Sequence, residues 1–298
     1  MRWSRALGMD QALGRTGDGR HADRFGATFR RLLRELTGAT AEDVHRVPAH
    51  VTFLCNVCGQ RSTVEREQLG RETPSCPRCQ STVRMRGIVH VLSTVLFGRS
   101  LPLALFPHRP NLRGLGMSDW VGYANGLATK LDYLNTYYHR EPRFDVTAPP
   151  PAAAASFDFL VSSDVFEHVA PPIDRAFANA RDLLRPGGHL VFTVPYVLTG
   201  ETVEHFPELH EYELLDFRGT RILVNRTRAG RLQVFENLCF HGGEGDTLEM
   251  RQFARATLVR QLAAAGFTDI RFWGESYLAY GIYWPSPLSL PITARRPA

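Results

Sequence analysis

From Leu112 to Tyr196 the chain alternates short apolar runs with amphipathic ones, the pattern of a parallel sheet wrapped by helices. Leu131 to Thr136 reads as a strand, as does a run opening at Phe157 and another ending at Pro195 and Tyr196. Between the last two, Ile173, Phe177, Ala180 and Leu184 recur at helical spacing, and Arg185-Pro186-Gly187-Gly188 turns the chain into the next strand. A polar loop carrying Asp164, Glu167 and His168 follows the Phe157 strand. It lies at the carboxyl end of a parallel strand, where ligands bind in open α/β sheets. After Tyr196 the alternation stops. Residues 197–250 collect His, Glu and aromatic side chains, with one hairpin-like piece, ILVNRTRAGRLQVF. Regular structure returns as a helix bearing Leu258, Leu262 and Ala265, stopped by Gly266, and a strand from Phe267 to Trp273.

Upstream, Phe25, Phe29, Leu32, Leu33 and Leu36 form one apolar helical stripe ended by Gly38, and Ile88 to Phe97 reads as a linking helix. The expected organisation is an N-terminal arm at 1–50, a small cysteine module at 51–85, a linker at 86–111 and an α/β domain at 112–298 with an insertion at about 197–250. The fold class is α/β, a doubly wound Rossmann-like sheet preceded by a small module.

Composition adds limits. With 44% hydrophobic and 22% charged residues in 298, the chain is an ordinary globular one. It has no apolar run near the ~20 residues of a membrane span. The N-terminus lacks a secretory pattern, so a cytoplasmic location is expected. The net charge of +5 rests on arginine, since Lys130 is the sole lysine, and does not by itself indicate a nucleic-acid partner.

Four of the five cysteines form two C-x-x-C knuckles, Cys55 with Cys58 and Cys76 with Cys79. Four thiolates at this spacing suit a closed tetrahedral Zn²⁺ site, structural because no position is left for water, with a hairpin expected between the knuckles. Cys239, in VFENLCF, reads as a small core residue.

The stretch from Phe157 to Tyr196 resembles the second half of class I S-adenosylmethionine-dependent methyltransferases of the type 11 kind, and the resemblance extends over roughly residues 110–290. It implies S-adenosylmethionine as methyl donor, held over the Gly114-Leu-Gly116 turn with Asp119, Asn135, Asp145, Val146 and Asp164. In that resemblance Asp145 accepts from the adenine amine and Val146 lies against the ring. Leu112 and Asn135 stand where the family usually has acids. Those two departures keep open a non-catalytic binding protein of ribbon and Rossmann-like parts, with RNA as a candidate ligand.

His168 is the first candidate for a general base, because imidazole titrates near the operating pH. Tyr196, His205, His210 and His241 are candidates for acceptor binding, and the glycines of HGGEG suggest a loop capping the pocket. A small-molecule acceptor is favoured, with RNA as the other class.

Overall fold

The computed structural model describes residues 47–241 and 247–298; the apolar stripe from Phe25 to Leu36 and the glycine loop at 242–245 lie outside the described residues. Residues Pro48–Ala298 form one compact unit. It opens with an antiparallel hairpin of β1 (His50–Leu54) and β2 (Arg61–Glu65). The first cysteine knuckle is the turn of this hairpin, where a hairpin between the two knuckles was expected. Helix α1 (Val83–Phe97) follows, its N-cap Thr82 accepting a hydrogen bond from the Met85 amide at 3.4 Å.

The main sheet is built from β3 (Arg109–Met117), β4 (Leu131–Thr136), β5 (Phe157–Ser163), β6 (Leu184–Thr193), β13 (Thr268–Phe272) and β14 (Ile292–Arg295). Helix α2 (Val121–Ala128) joins β3 to β4, α3 (Ile173–Leu183) joins β5 to β6, and α4 (Arg255–Ala264) precedes β13. Strand order is β4-β3-β5-β6-β14-β13, with the first four parallel and β14 antiparallel to both neighbours. This is the Rossmann-like sheet that the sequence pattern indicated. The insertion and its flanking residues contribute β7 (Tyr196–Val197), β8 (Val203–Glu204), β9 (Glu211–Phe217), β10 (Thr220–Arg226), β11 (Leu232–Phe235) and β12 (Arg251–Ala254). They form two small sheets, β11-β10-β9 and β7-β12-β8.

Two local features have physical causes. No strand forms near Asp145, so β4 is the sheet edge among the described residues. Pro142, Pro149, Pro150 and Pro151 crowd that segment, and proline cannot donate to a ladder. Leu184 is the first residue of β6, buried, where helical spacing had put it on α3. The ladder then jumps from Phe157↔Leu184 to Phe159↔His189, so Arg185-Pro186-Gly187-Gly188 is extruded as a bulge.

One face of the sheet carries an aromatic core. Phe166 lies 4.9 Å from Phe177 and 5.7 Å from Phe192 between ring centroids, and Phe177 lies 6.2 Å from Phe253. Alternation turns Phe159 of β5 to the opposite face, where it stacks on Tyr133 of β4 at 5.9 Å and 3°. These rings bridge over Gly114 of β3, where a Cβ would overlap the Phe159 ring. Gly114→Ala is therefore an overpacking change, expected to cost about 1–3 kcal/mol in urea unfolding. Combined with Phe159→Leu, it should lose less than the sum of the two single changes, whereas strict additivity would show that the two positions do not share this space.

Candidate active site

The carboxyl ends of β3, β4 and β5 converge, as the strand order requires, and bring the predicted donor residues to one edge. Their side chains are turned largely toward one another. Asp119, 2% exposed, accepts from the Tyr123 hydroxyl at 2.6 Å and from the Tyr133 hydroxyl. Burial raises its pKa to about 6, against the lowering effect of those two hydroxyls. The Asn135 amide closes a ring on the same residue, its Oδ1 accepting from the Asp119 amide at 3.0 Å and its Nδ2 donating to the Asp119 carbonyl at 2.8 Å. Gly116 is where these groups crowd, since a Cβ would meet the Tyr133 hydroxyl, Asp119 and Asn135. The glycine thus serves packing within the protein, a use that its motif alone does not distinguish from ligand approach. Asp145 Oδ1 accepts from the amide and hydroxyl of Thr147 at 2.8 and 2.7 Å, the geometry of an aspartate turn. Beside it Val146 is buried in the core, and its carbonyl accepts from Asn179 at 2.8 Å.

Asp164 directly follows β5 with φ +53°, a conformation that Asp tolerates better than most residues. Its carboxylate receives the Arg71 guanidinium in fork geometry at 2.9 and 2.8 Å, Arg84 at 3.3 Å, and the Thr193 hydroxyl at 2.8 Å. Burial alone would raise its pKa, but the Arg71 and Arg84 charges outweigh burial and hold the carboxyl well below the usual range. Arg71 precedes the second cysteine knuckle, and Arg84 is in the first turn of α1. Sequence did not pair either arginine with Asp164, because no local spacing links them to position 164.

The third group lies on the far side of the β5 loop. Glu167 and His168 are held there by the Met250 amide, which donates to the Glu167 carbonyl at 2.8 Å, and by Arg251, which donates to the Phe166 carbonyl at 2.8 Å. Arg251 is buried and also pairs with Glu204 at 2.7 Å. Pairing of β12 with β8 then sets His205 against Glu249, with His205 Nε2 2.9 Å from Oε1. His241 Nε2 is 2.8 Å from the other carboxylate oxygen, and the His241 and His168 rings meet edge to face at 4.8 Å. His168 Nδ1 donates to the Leu248 carbonyl at 3.0 Å. Burial lowers the His168 pKa, so the ring is neutral near pH 7. Burial would raise the Glu249 pKa, but hydrogen bonds from His205 and His241 prevail and bring it to about 2.

Of the predicted acceptor residues, His205 and His241 join His168. Two do not. The Tyr196 side chain is buried in the core, and its hydroxyl donates to the Pro287 carbonyl at 2.7 Å. His210 is exposed, its amide donating to Asn225 Oδ1 at 2.9 Å on the outer hairpin. Cys239 is exposed near His241 and Glu249, not in the core as its apolar neighbours suggested.

The four knuckle cysteines converge. Cys55 and Cys79 Sγ are 3.6 Å apart, as are Cys58 and Cys76, and all four sulfurs lie within 4.8 Å of one another. A tetrahedral Zn²⁺ with bonds of about 2.3 Å requires sulfur separations of about 3.8 Å, so the donor set fits. Arg86, buried beneath the knuckles, donates to Ser81, Ser75 and the Gly281 carbonyl and lies 4.8 Å above the Phe53 ring.

Sheet order and strand direction define a Rossmann-like α/β architecture, with the candidate site at the carboxyl ends of its parallel strands. Residues 128–192, from the end of α2 through most of β6, match the family described as a methyltransferase domain. The match to that family lies within the α/β unit, between the second and fourth strands of its parallel run. The chain is also similar to solved structures. One is 1,6-didemethyltoxoflavin-N1-methyltransferase of Burkholderia thailandensis with bound S-adenosylhomocysteine, at 19% identity, TM-score 0.40, 72% of this chain and 78% of that one. A Clostridium acetobutylicum S-adenosylmethionine-dependent methyltransferase shares 10% identity at TM-score 0.42, over 74% and 94% of the two chains. An amino pentose methyltransferase of Micromonospora echinaspora shares 16% at TM-score 0.38, over 72% and 94%. No curated protein sequence matches. Among the described residues no helix is long and apolar enough to cross a membrane.

The Asp164 clamp generates a pH prediction. Its folded pKa lies below the unfolded value of about 3.9, so its contribution is complete above that value and is lost as pH falls through the folded one. Asp164→Asn should cost about 3–5 kcal/mol at pH 7, because two guanidinium groups lose their partner. The difference from the unsubstituted chain should shrink below pH ~4 in denaturant titrations. A pH-independent difference would contradict the ion-pair account.

Proposed function

We propose that this chain transfers a methyl group from S-adenosylmethionine to a hydroxyl or amine of a small-molecule acceptor, with the cysteine knuckles holding a structural Zn²⁺. The observation that carries this reading is the His168, His241, Glu249 and His205 cluster, set against the β5 loop of a methyltransferase domain. Half-buried between that loop and the insertion, the cluster suits a small acceptor better than a polymer.

The donor supplies an electrophilic methyl group on a sulfonium, and the chain's own residues do the rest. Val146 offers an apolar surface and Asp145 a carboxylate for the adenine, which fits the buried and half-buried states of this pair. Asn135 and Thr136, at the end of β4, are the groups nearest the ribose position implied by the strand order. Both already bond to backbone, so donor affinity rests mainly on shape and the adenine contacts. His168 and His241 activate the acceptor's heteroatom, whose proton leaves for the imidazole–carboxylate system around Glu249.

The internally satisfied Asp119, Asn135 and Asp164 also favour a second reading, a binding protein that does not take the donor. Calorimetric titration with S-adenosylhomocysteine separates the two. Micromolar binding, weakened about tenfold or more by Asp145→Ala, is expected. No binding by folded protein would move the assignment to the second reading. His168→Ala should keep that affinity and lower the transfer rate by a factor of about 10²–10⁴ once an acceptor is in hand.

A further inference from the structure

Glu167 is 1% exposed, and among the described residues neither of its carboxylate oxygens has a hydrogen-bond partner. A buried carboxylate without partners is costly and calls for a proton or a cation. Its surroundings favour a cation. One ligating atom from each of Glu167, His168 and His241 lies within 4.8 Å of the other two. The His168 imidazole is held as metal-ligating histidines are held, one ring nitrogen spent on an outer acceptor. His168 gives Nδ1 to the Leu248 carbonyl at 3.0 Å, which directs Nε2 toward Glu167 at 3.8 Å. His241 gives Nε2 to Glu249 at 2.8 Å, and His205 braces the same carboxylate at 2.9 Å.

We propose that Glu167, His168 and His241 form a divalent-cation site of the Zn²⁺ class, oriented by Leu248 and the Glu249–His205 pair and separate from the four cysteines. Two imidazoles and a carboxylate are the donor set of an open zinc site, with three protein ligands and a fourth position for an exchangeable oxygen. Glu167 is part of β5's loop, whereas His241 belongs to the insertion, so the cation would also tie the two together. Where the methyltransferase reading holds, this deepens it by replacing direct activation by His168 and His241 with activation through the cation they hold. The acceptor is then an oxygen compound whose hydroxyl takes the fourth position and is acidified there, losing its proton toward Glu249 and His205. The metal count stands apart from that reading, so failure of one is distinguishable from failure of the other.

The test is the zinc content of the full chain after equilibration with micromolar free zinc, compared with Glu167→Gln and His241→Ala. Each variant is expected to hold one equivalent less than the unsubstituted chain while melting within a few degrees of it. Equal zinc in all three overturns the site and leaves Glu167 as a buried protonated acid. Should either variant misfold, cobalt titration of the unsubstituted chain decides. A further equivalent that adds ligand-field absorption without thiolate-to-metal charge transfer is expected. No such equivalent after the thiolate band saturates overturns the proposal.

Discussion

Two guanidinium groups from the cysteine-bearing segment close on one carboxylate at the end of a central strand, and much else is arranged around that contact. Arg71 and Arg84 reach Asp164 from either side of the second knuckle, and Glu72 braces Arg84 at 2.7 Å. Asp164 adopts φ +53°, so the β5 loop leaves the strand at a fixed angle. The small module is thereby part of the site's wall. Arg86 extends the same connection, joining Ser75 and Ser81 beside the knuckles to the Gly281 carbonyl. Removing one partner from such a buried pair leaves uncompensated charge, so the contact holds position more than it adds net stability.

The loop set by Asp164 next meets the insertion. Arg251 and the Met250 amide fix the backbone at Phe166 and Glu167, and β12 carries Glu249 to a place between His205 and His241. The polar cluster is thus assembled by backbone pairing of three distant segments. Such an assembly is stiff, a requirement for chemistry that depends on positioning.

Much of the fold was legible in sequence because its strands are buried and its helices amphipathic. Leu131 to Thr136 is a strand to the residue, β5 opens at Phe157, and the apolar face of α3 is buried as its spacing indicates. The four cysteines also converge, since knuckle spacing is a local property. Long-range pairings were not legible. Arg71 is 93 residues from Asp164 and His205 is 44 from Glu249, and nothing local marks either pair. Tyr196 was misread because a tyrosine at a strand end offers the same sequence signal whether its hydroxyl faces a ligand or a buried carbonyl. The glycines of β3 were ambiguous for the same reason. Close approach by Phe159 or Tyr133 demands a missing Cβ as strictly as a ligand does.

The arginine clamp sets the geometry of the β5 loop and, through it, of the polar cluster. Amide hydrogen exchange in an Arg71→Gln, Arg84→Gln double variant tests it most directly. Faster exchange is expected over residues 163–169 and 248–251, with the β9–β11 hairpins unchanged. Protection at 163–169 equal to that of the unsubstituted chain would contradict it.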